Sequence, residues 1–316
     1  MTFVSRLVCI TVFALDCIEY IFSRKPACRQ KIIHLIYAVK DKCITGCPCD
    51  NYECSTEETT TTITTTTSES NGDKMVLALS TFDEYTAYLI DLNGQYSKRL
   101  NFNYAECTEV YYSCHVTFKG QHWLFGGRGL NRQVSVVDGC GLRRHSDLPF
   151  SFHTGACGNY ELEKNIILLC FDYYGKQTCR TFDGEKYENS VSSNREHYYS
   201  RLGNYKGEPF VVGDLYDADN PVEIMKNKNE IFEWKRVQDF PFADRLRAYS
   251  IISTPSSVII FGGLSSSGDQ DLVAEYSQVQ GQDQWTLIGN LEKARRGHSA
   301  IYKDDIALIV GGYDGK

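Results

Sequence analysis

The sequence predicts an all-β protein made of one repeated four-stranded unit, and three observations carry that expectation. From Met75 onward, short apolar strands closed by a small residue or a diglycine recur at a near-constant interval. Around each of them, further strand-like segments keep the same phase. The composition, with 21 Tyr and 25 Gly against 7 Pro and a 13% aromatic share, favours strands and tight turns over helices.

Six copies of the anchor strand are present. They are "VLALS" ending at Ser80, "HWLFGG" with Gly126, "IILLC" ending at Cys170, "PFVVG" ending at Gly213, "VIIFGG" with Gly262 and "IALIVGG" with Gly311. The intervals are 46, 44, 43, 49 and 49 residues. A strand with a small or polar centre precedes each of the last five: "YYSCHVTF", "FHTGACGN", "YYSRLGNY", "AYSIIST" and "GHSAIYK". An outgoing strand follows each of the first five anchors, as in "AYLIDLNG", "VSVVDG" and "VAEYS". Trp234 in "FEWKRV" and Trp285 in "DQWTLI" begin a further strand in the last two full copies.

Each unit therefore offers about four short strands in 43 to 49 residues. A four-stranded antiparallel sheet cannot bury both faces alone; repeated radially, each sheet buries the next. The expected fold is a β-propeller spanning 75–316, with five complete units and a sixth that has only its first two strands. Judged from the period, about 35 residues more would finish that unit. The propeller thus reads as truncated, or as completed by strands from elsewhere, because nothing before Met75 looks like the missing ones.

The units resemble the kelch repeat. The best copy runs from Val258 to Trp285 and on through "LEKARRGHSAIY": an apolar strand, a diglycine, a spaced Tyr, a spaced Trp and an Arg-Gly-His-Ser stretch. The resemblance assigns structural roles to Gly126, Gly127, Gly262, Gly263, Tyr276, Trp285, Gly311 and Gly312. The first glycine of each pair would permit a turn and the second a close approach to the neighbouring blade. Tyr276 and Trp285 would fill the wedge between blades, each burial contributing about 2–3 kcal/mol. Three units depart from the pattern, with Ser80-Thr81, Cys170-Phe171 and Gly213-Asp214 in the diglycine slot.

Upstream, the chain divides into a signal or signal-anchor region (1–42), a short Cys-rich cluster (43–54) and a Thr-rich disordered linker (55–74). "LVCITVFAL" after Arg6, or "IIHLIYAV" after a basic patch, suits a secretory signal core and offers a membrane anchor. Cys43, Cys47, Cys49 and Cys54 lack the paired spacing of a zinc site and read as local disulfides. Nine of the sixteen residues from Ser55 to Ser70 are Thr, which suits an O-glycosylated stalk or a bare linker. Within the repeats, Cys170 and Cys179 lie nine residues apart on successive strands of a hairpin, and Cys107, Cys114 and Cys157 are further candidates whose pairing the sequence leaves open. Thirteen cysteines favour an oxidising compartment, outside the cell or at its surface.

The expected function is a non-enzymatic binding module, presenting the propeller to a protein or glycan partner. A net charge of −7 gives no reason to expect nucleic acid. No nucleophile elbow, metalloprotease motif or phosphate loop is present, and no catalytic, metal or cofactor residue is expected. His298 reads as a strand residue of the repeat or as a ligand; Arg295 and Arg296, and the "LRRH" run Leu142–His145, read as solvated segments or as anion contacts. Two other readings stay open. One is an intracellular kelch adaptor that presents substrates to a ubiquitin ligase, for which 1–74 is short. The other is a galactose-oxidase-like copper enzyme, whose Tyr, His and Tyr–Cys constellation matches nothing identifiable here.

Overall fold

The computed structural model describes residues 33–36, 75–80, 87–91, 97–100, 112–127, 132–138, 141–161, 165–213, 219–228, 231–303 and 306–314. Every regular element in them is a strand, 22 in all. The first sheet holds β1 (Ile33–Ile36), β2 (Met75–Ser80), β3 (Ala87–Asp91) and β4 (Ser97–Leu100). The second holds β5 (Cys114–Phe118), β6 (Gln121–Phe125), β7 (Gln133–Asp138) and β8 (Gly141–Asp147). The third holds β9 (Ala156–Glu161), β10 (Asn165–Cys170), β11 (Cys179–Phe182) and β12 (Tyr187–Asn189). In the fourth are β13 (Leu202–Tyr205), β14 (Glu208–Val212), β15 (Val222–Lys228) and β16 (Ile231–Arg236). The fifth contains β17 (Ser250–Ser253), β18 (Ser257–Ser265), β19 (Gly268–Val279) and β20 (Gln282–Asn290). A two-stranded sheet of β21 (Ser299–Lys303) and β22 (Ile306–Val310) follows. Within each sheet spatial order is sequence order, and neighbours are antiparallel, an arrangement consistent with the blades of a propeller.

Burial explains why the second strand of each unit is the legible one. β10, β14 and β22 are buried at nearly every position, so they read as continuous apolar runs rather than alternating ones. First strands such as β5 and β17 are half-exposed and tolerate small or polar centres. Fourth strands such as β8 and β20 are largely exposed. Between successive sheets lie hydrophobic clusters. Phe125 and Phe152 join the second and third, Met225 and Phe171 the third and fourth, and Phe210 and Tyr276 the fourth and fifth. Phe261 and Ile309 join the fifth and the two-stranded sheet, and Val76 and Val310 join that sheet to the first. The first strands touch in the order β1, β5, β9, β13, β17, β21, and β21 touches β1.

The first sheet takes a strand from ahead of the repeats, while the two-stranded sheet gains none among the described residues. A strand does precede Met75: β1 pairs with β2 from Ile33↔Ser80 to Ile36↔Leu77, from within the run that also suits a signal core. Local pattern could not link the two, because 38 residues separate Ile36 from Met75. The Cys-rich cluster and the Thr-rich tract lie outside the described residues. No helix among the described residues is long and apolar enough to cross a membrane.

Candidate functional site

The site is built by a backbone device that recurs at the start of the first strands. Tyr112, Thr154, Tyr199, Ala248 and Gly297 all take left-handed φ, between 52° and 64°. Four of the five carry a side chain, so the conformation costs about 1–2 kcal/mol at each of those four positions. Contacts between units help to hold it: Ala248 N donates to Tyr199 O at 2.9 Å, and Gly297 N donates to Ala248 O at 2.7 Å. The preceding residue bridges back to its own sheet, pairing Arg247 with Leu264 and Arg296 with Tyr313. These residues form the upstream face, where the first strands begin.

The diglycines buttress the same face. A Cβ on Gly126 would collide with the carbonyl oxygen of Phe152, and one on Gly213 with that of Leu246. At Gly262 it would stand 2.6 Å from Arg295 O. Each of these carbonyls belongs to the next unit, so the first glycine of the pair is the one that lets neighbouring units approach. The second packs within its own unit, as Gly263 does beside Tyr249 and Gly312 beside His298. This reverses the expected division of labour. Gly127 and Gly263 donate their N–H groups to the same Phe152 and Arg295 carbonyls. Gly311 presents its carbonyl oxygen to Arg295 Nη1 at 2.8 Å. In the third unit the slot residue is Phe171, with φ 61°, because β10 runs through Cys170; the expected alignment is off by one residue there. Tyr276 and Trp285 are cross-strand partners with ring centroids 5.0 Å apart. Trp285 Nε1 donates to Gln238 O at 3.2 Å, in the fourth unit.

At the upstream face a cavity of about 270 Å³ opens. Tyr112, Tyr199, Ala248 and Gly297 line it together with Arg247 and Arg296, and Leu264 and Tyr313 complete the wall. One side is aromatic. Tyr112 stands 5.7 Å from Tyr199 and 6.0 Å from His153, His153 stands 5.7 Å from Tyr173, and Tyr173 stands 5.6 Å from Tyr198. Tyr198 closes the arc on Tyr199 at 4.3 Å, and Tyr174, 77% exposed, extends it outward. The other side is cationic. Arg296 Nη1 donates to Asp269 Oδ1 at 2.9 Å, and its guanidinium lies 4.6 Å from the centroid of Tyr313. Arg247 is half-buried, its Nη1 makes a long bond to Arg245 O at 3.4 Å, and no carboxylate pairs with it among the described residues. Burial and the nearby Arg296 charge hold the Arg247 pKa below its ordinary value. Two residues beyond Tyr199, burial likewise lowers the pKa of Arg201.

The other charged segments resolve differently. Arg295 is only 5% exposed and bonds to Gly311 O, so it is a packed residue rather than a solvated turn. His298 is buried beside Gly312, and burial followed by the Arg295 charge lowers its pKa to about 3. It is a strand-entry residue of the repeat, neutral at physiological pH. Arg143 and Arg144 are exposed and pair with Asp138 and Asp147, as a solvated segment would. At the opposite end of the first strands a second cavity, of about 520 Å³, is lined by His115, His122, Asn159, Ile251 and Tyr302 among others. Burial, then Arg201 and His122, lowers the pKa of His115 to about 3.

Two disulfides are present among the described residues. Cys170–Cys179 is the expected hairpin pair, while Cys114 bonds to Cys157 and so ties β5 to β9 across units. Cys43, Cys47, Cys49 and Cys54 lie outside the described residues. Both bonds fit an oxidising environment. No group of three His, Cys, Asp or Glu side chains among the described residues could hold a metal ion.

No described protein family matches this sequence, and no curated protein matches it. Among solved structures, that of YjhT is similar, with a TM-score of 0.61 at 12% identity, over 77% of this chain and 88% of that one. At that identity the likeness shows the fold alone.

Proposed function

We propose that this chain is a kelch-type β-propeller that acts as a non-enzymatic binding module, secreted or anchored at the cell surface, with a protein or glycan partner. The cyclic contacts of the first strands support a closed ring of six sheets, in which β1 belongs to the first and β21–β22 to the sixth. The diglycine geometry and the Tyr276–Trp285 wedge support the kelch reading. The two disulfides favour the extracellular setting over an intracellular adaptor.

The observation that carries the binding reading is the upstream cavity, with an aromatic arc on one side and a cationic one on the other. Concave sites with a few convergent polar groups on a rigid scaffold are where ligands bind. The test is to probe the secreted chain against arrays of cell-surface proteins and glycans, beside a variant carrying Tyr173→Ala and Tyr174→Ala. Saturable binding to a defined partner, lost in the variant, is expected. Binding indifferent to the variant would move the site elsewhere, and turnover of the bound partner would overturn the non-enzymatic reading.

A further inference from the structure

The upstream cavity has a charge that no described residue neutralises. Arg296 is matched by Asp269, whereas Arg247 has no carboxylate partner among the described residues. Among the described residues its lining therefore holds one guanidinium without a carboxylate, within a chain of net charge −7. Leaving a half-buried guanidinium beside a second one is unfavourable, and an anion between them relieves it. A single negative charge fits best. A dianion such as a phosphate would over-neutralise Arg247 and meet the Asp269 carboxylate behind Arg296. A planar guanidinium matches a carboxylate in a two-point fork.

The cavity is also too large for a bare anion. At about 270 Å³ it must be filled by the body that carries the carboxylate. Tyr112, Tyr199, Ala248 and Leu264 offer that body aromatic and aliphatic walls. We propose that the upstream cavity is a carboxylate site, in which Arg247 and Arg296 hold one carboxylate of a compact monoanionic ligand and Tyr112 and Tyr199 hold its ring-like body. This rests on the upstream face being the binding face, and it adds the ligand's chemical class.

The probe is benzoate, a monoanion on a flat ring, compared with benzamide, its uncharged counterpart, and phenyl phosphate, a dianion. By calorimetry the full chain binds benzoate saturably and more tightly than either comparator. Arg247→Gln weakens benzoate at least about tenfold, as expected for a lost charged hydrogen bond, and leaves benzamide unchanged. A second measurement needs no variant. Benzoate protects Arg247 from the arginine reagent phenylglyoxal, read by peptide mass, and leaves the exposed Arg143 and Arg144 reactive. Equal affinity for benzamide, tighter binding of phenyl phosphate, or no protection of Arg247 overturns the assignment. If the Tyr173→Ala and Tyr174→Ala variant loses its partner while benzoate does not bind, the carboxylate assignment fails and the binding-module reading stands. If benzoate binds here while partner binding ignores that variant, the partner face lies elsewhere and the carboxylate site stands.

Discussion

His197 and Glu223 meet 2.9 Å apart, with neither side chain exposed, at the foot of the upstream loops. The other ring nitrogen of His197 lies 2.7 Å from Gly213 O. Both partners are oxygens, so the ring is held between two fixed contacts, one at each nitrogen. Glu223 also accepts from Asn194 N, Asn194 Nδ2 and Arg195 N, which fixes the loop leading to Tyr198 and Tyr199. Glu223→Gln would weaken an acceptor that Asn194, Arg195 and the His197 ring share, and the expected loss is about 1–3 kcal/mol of unfolding free energy in urea. A loss under 1 kcal/mol would mean that the pair is neutral or replaceable.

Acid should act through the same carboxylate. Burial pushes the Glu223 carboxyl up, but the bond and charge of His197 and the bonds from Asn194 outweigh it and hold the carboxyl below its ordinary 4.5. A group depressed in the folded state contributes stability above its unfolded value, and loses it as pH falls through its folded value. The chain should therefore lose stability from about pH 4.5 downward, and the Glu223→Gln variant should show a shallower acid slope. Parallel slopes in urea melts at pH 6, 4.5 and 3.5 would exclude Glu223 as the titrating group.

Trp285 tests the wedge between the fourth and fifth sheets. Trp285→Phe keeps an aromatic ring and loses the bond to Gln238 O, an expected cost of about 1 kcal/mol. Trp285→Ala also removes its contacts with Phe210, Phe240 and Tyr276, an expected cost of about 3–5 kcal/mol. Similar costs for the two variants, from chemical denaturation, would show that the ring does not fill the wedge.

The repeat was legible because the doubly buried strands β6, β10, β14, β18 and β22 announce themselves as apolar runs. β1 was not, since a four-residue strand far from its partner carries no local pairing signal. The binding face was only half readable. "RRGHS" marked Arg296 and Gly297, but nothing in Tyr112, Thr154, Tyr199 or Ala248 signals a left-handed backbone that contacts between units impose. Arg295 and Arg296 are adjacent and look alike in sequence, yet the first turns inward to Gly311 O and the second faces the cavity. Only tertiary geometry separates them.

Glycines of two kinds should respond differently to alanine. Gly126→Ala adds left-handed strain and a collision with the Phe152 carbonyl, which is backbone and cannot swing away. Gly268 has φ 112° but open space around its missing Cβ, so Gly268→Ala pays only the backbone penalty of about 1–2 kcal/mol. The expected order in thermal melts is wild type, then Gly268→Ala, then Gly126→Ala well below both. Equal midpoints for the two variants would mean that the approach of the second and third units can relax.

The disulfides give the last prediction, because their loops differ in length. Cys114–Cys157 closes 43 residues and joins two units, whereas Cys170–Cys179 closes nine within one hairpin. On chain entropy alone the longer loop contributes roughly 4 kcal/mol and the shorter roughly 2.6 kcal/mol. Replacing Cys114 and Cys157 by Ala should therefore destabilise the chain more than replacing Cys170 and Cys179. All four cysteines are buried, so the packing lost to alanine is comparable in the two pairs. Urea melts of the two double variants decide the matter. A larger loss from the hairpin pair would show that local geometry around β10 and β11, rather than the tie between units, sets the contribution of these bonds. The greater loss from the Cys114–Cys157 pair would mean that linking the second and third sheets limits how far the unfolded chain expands.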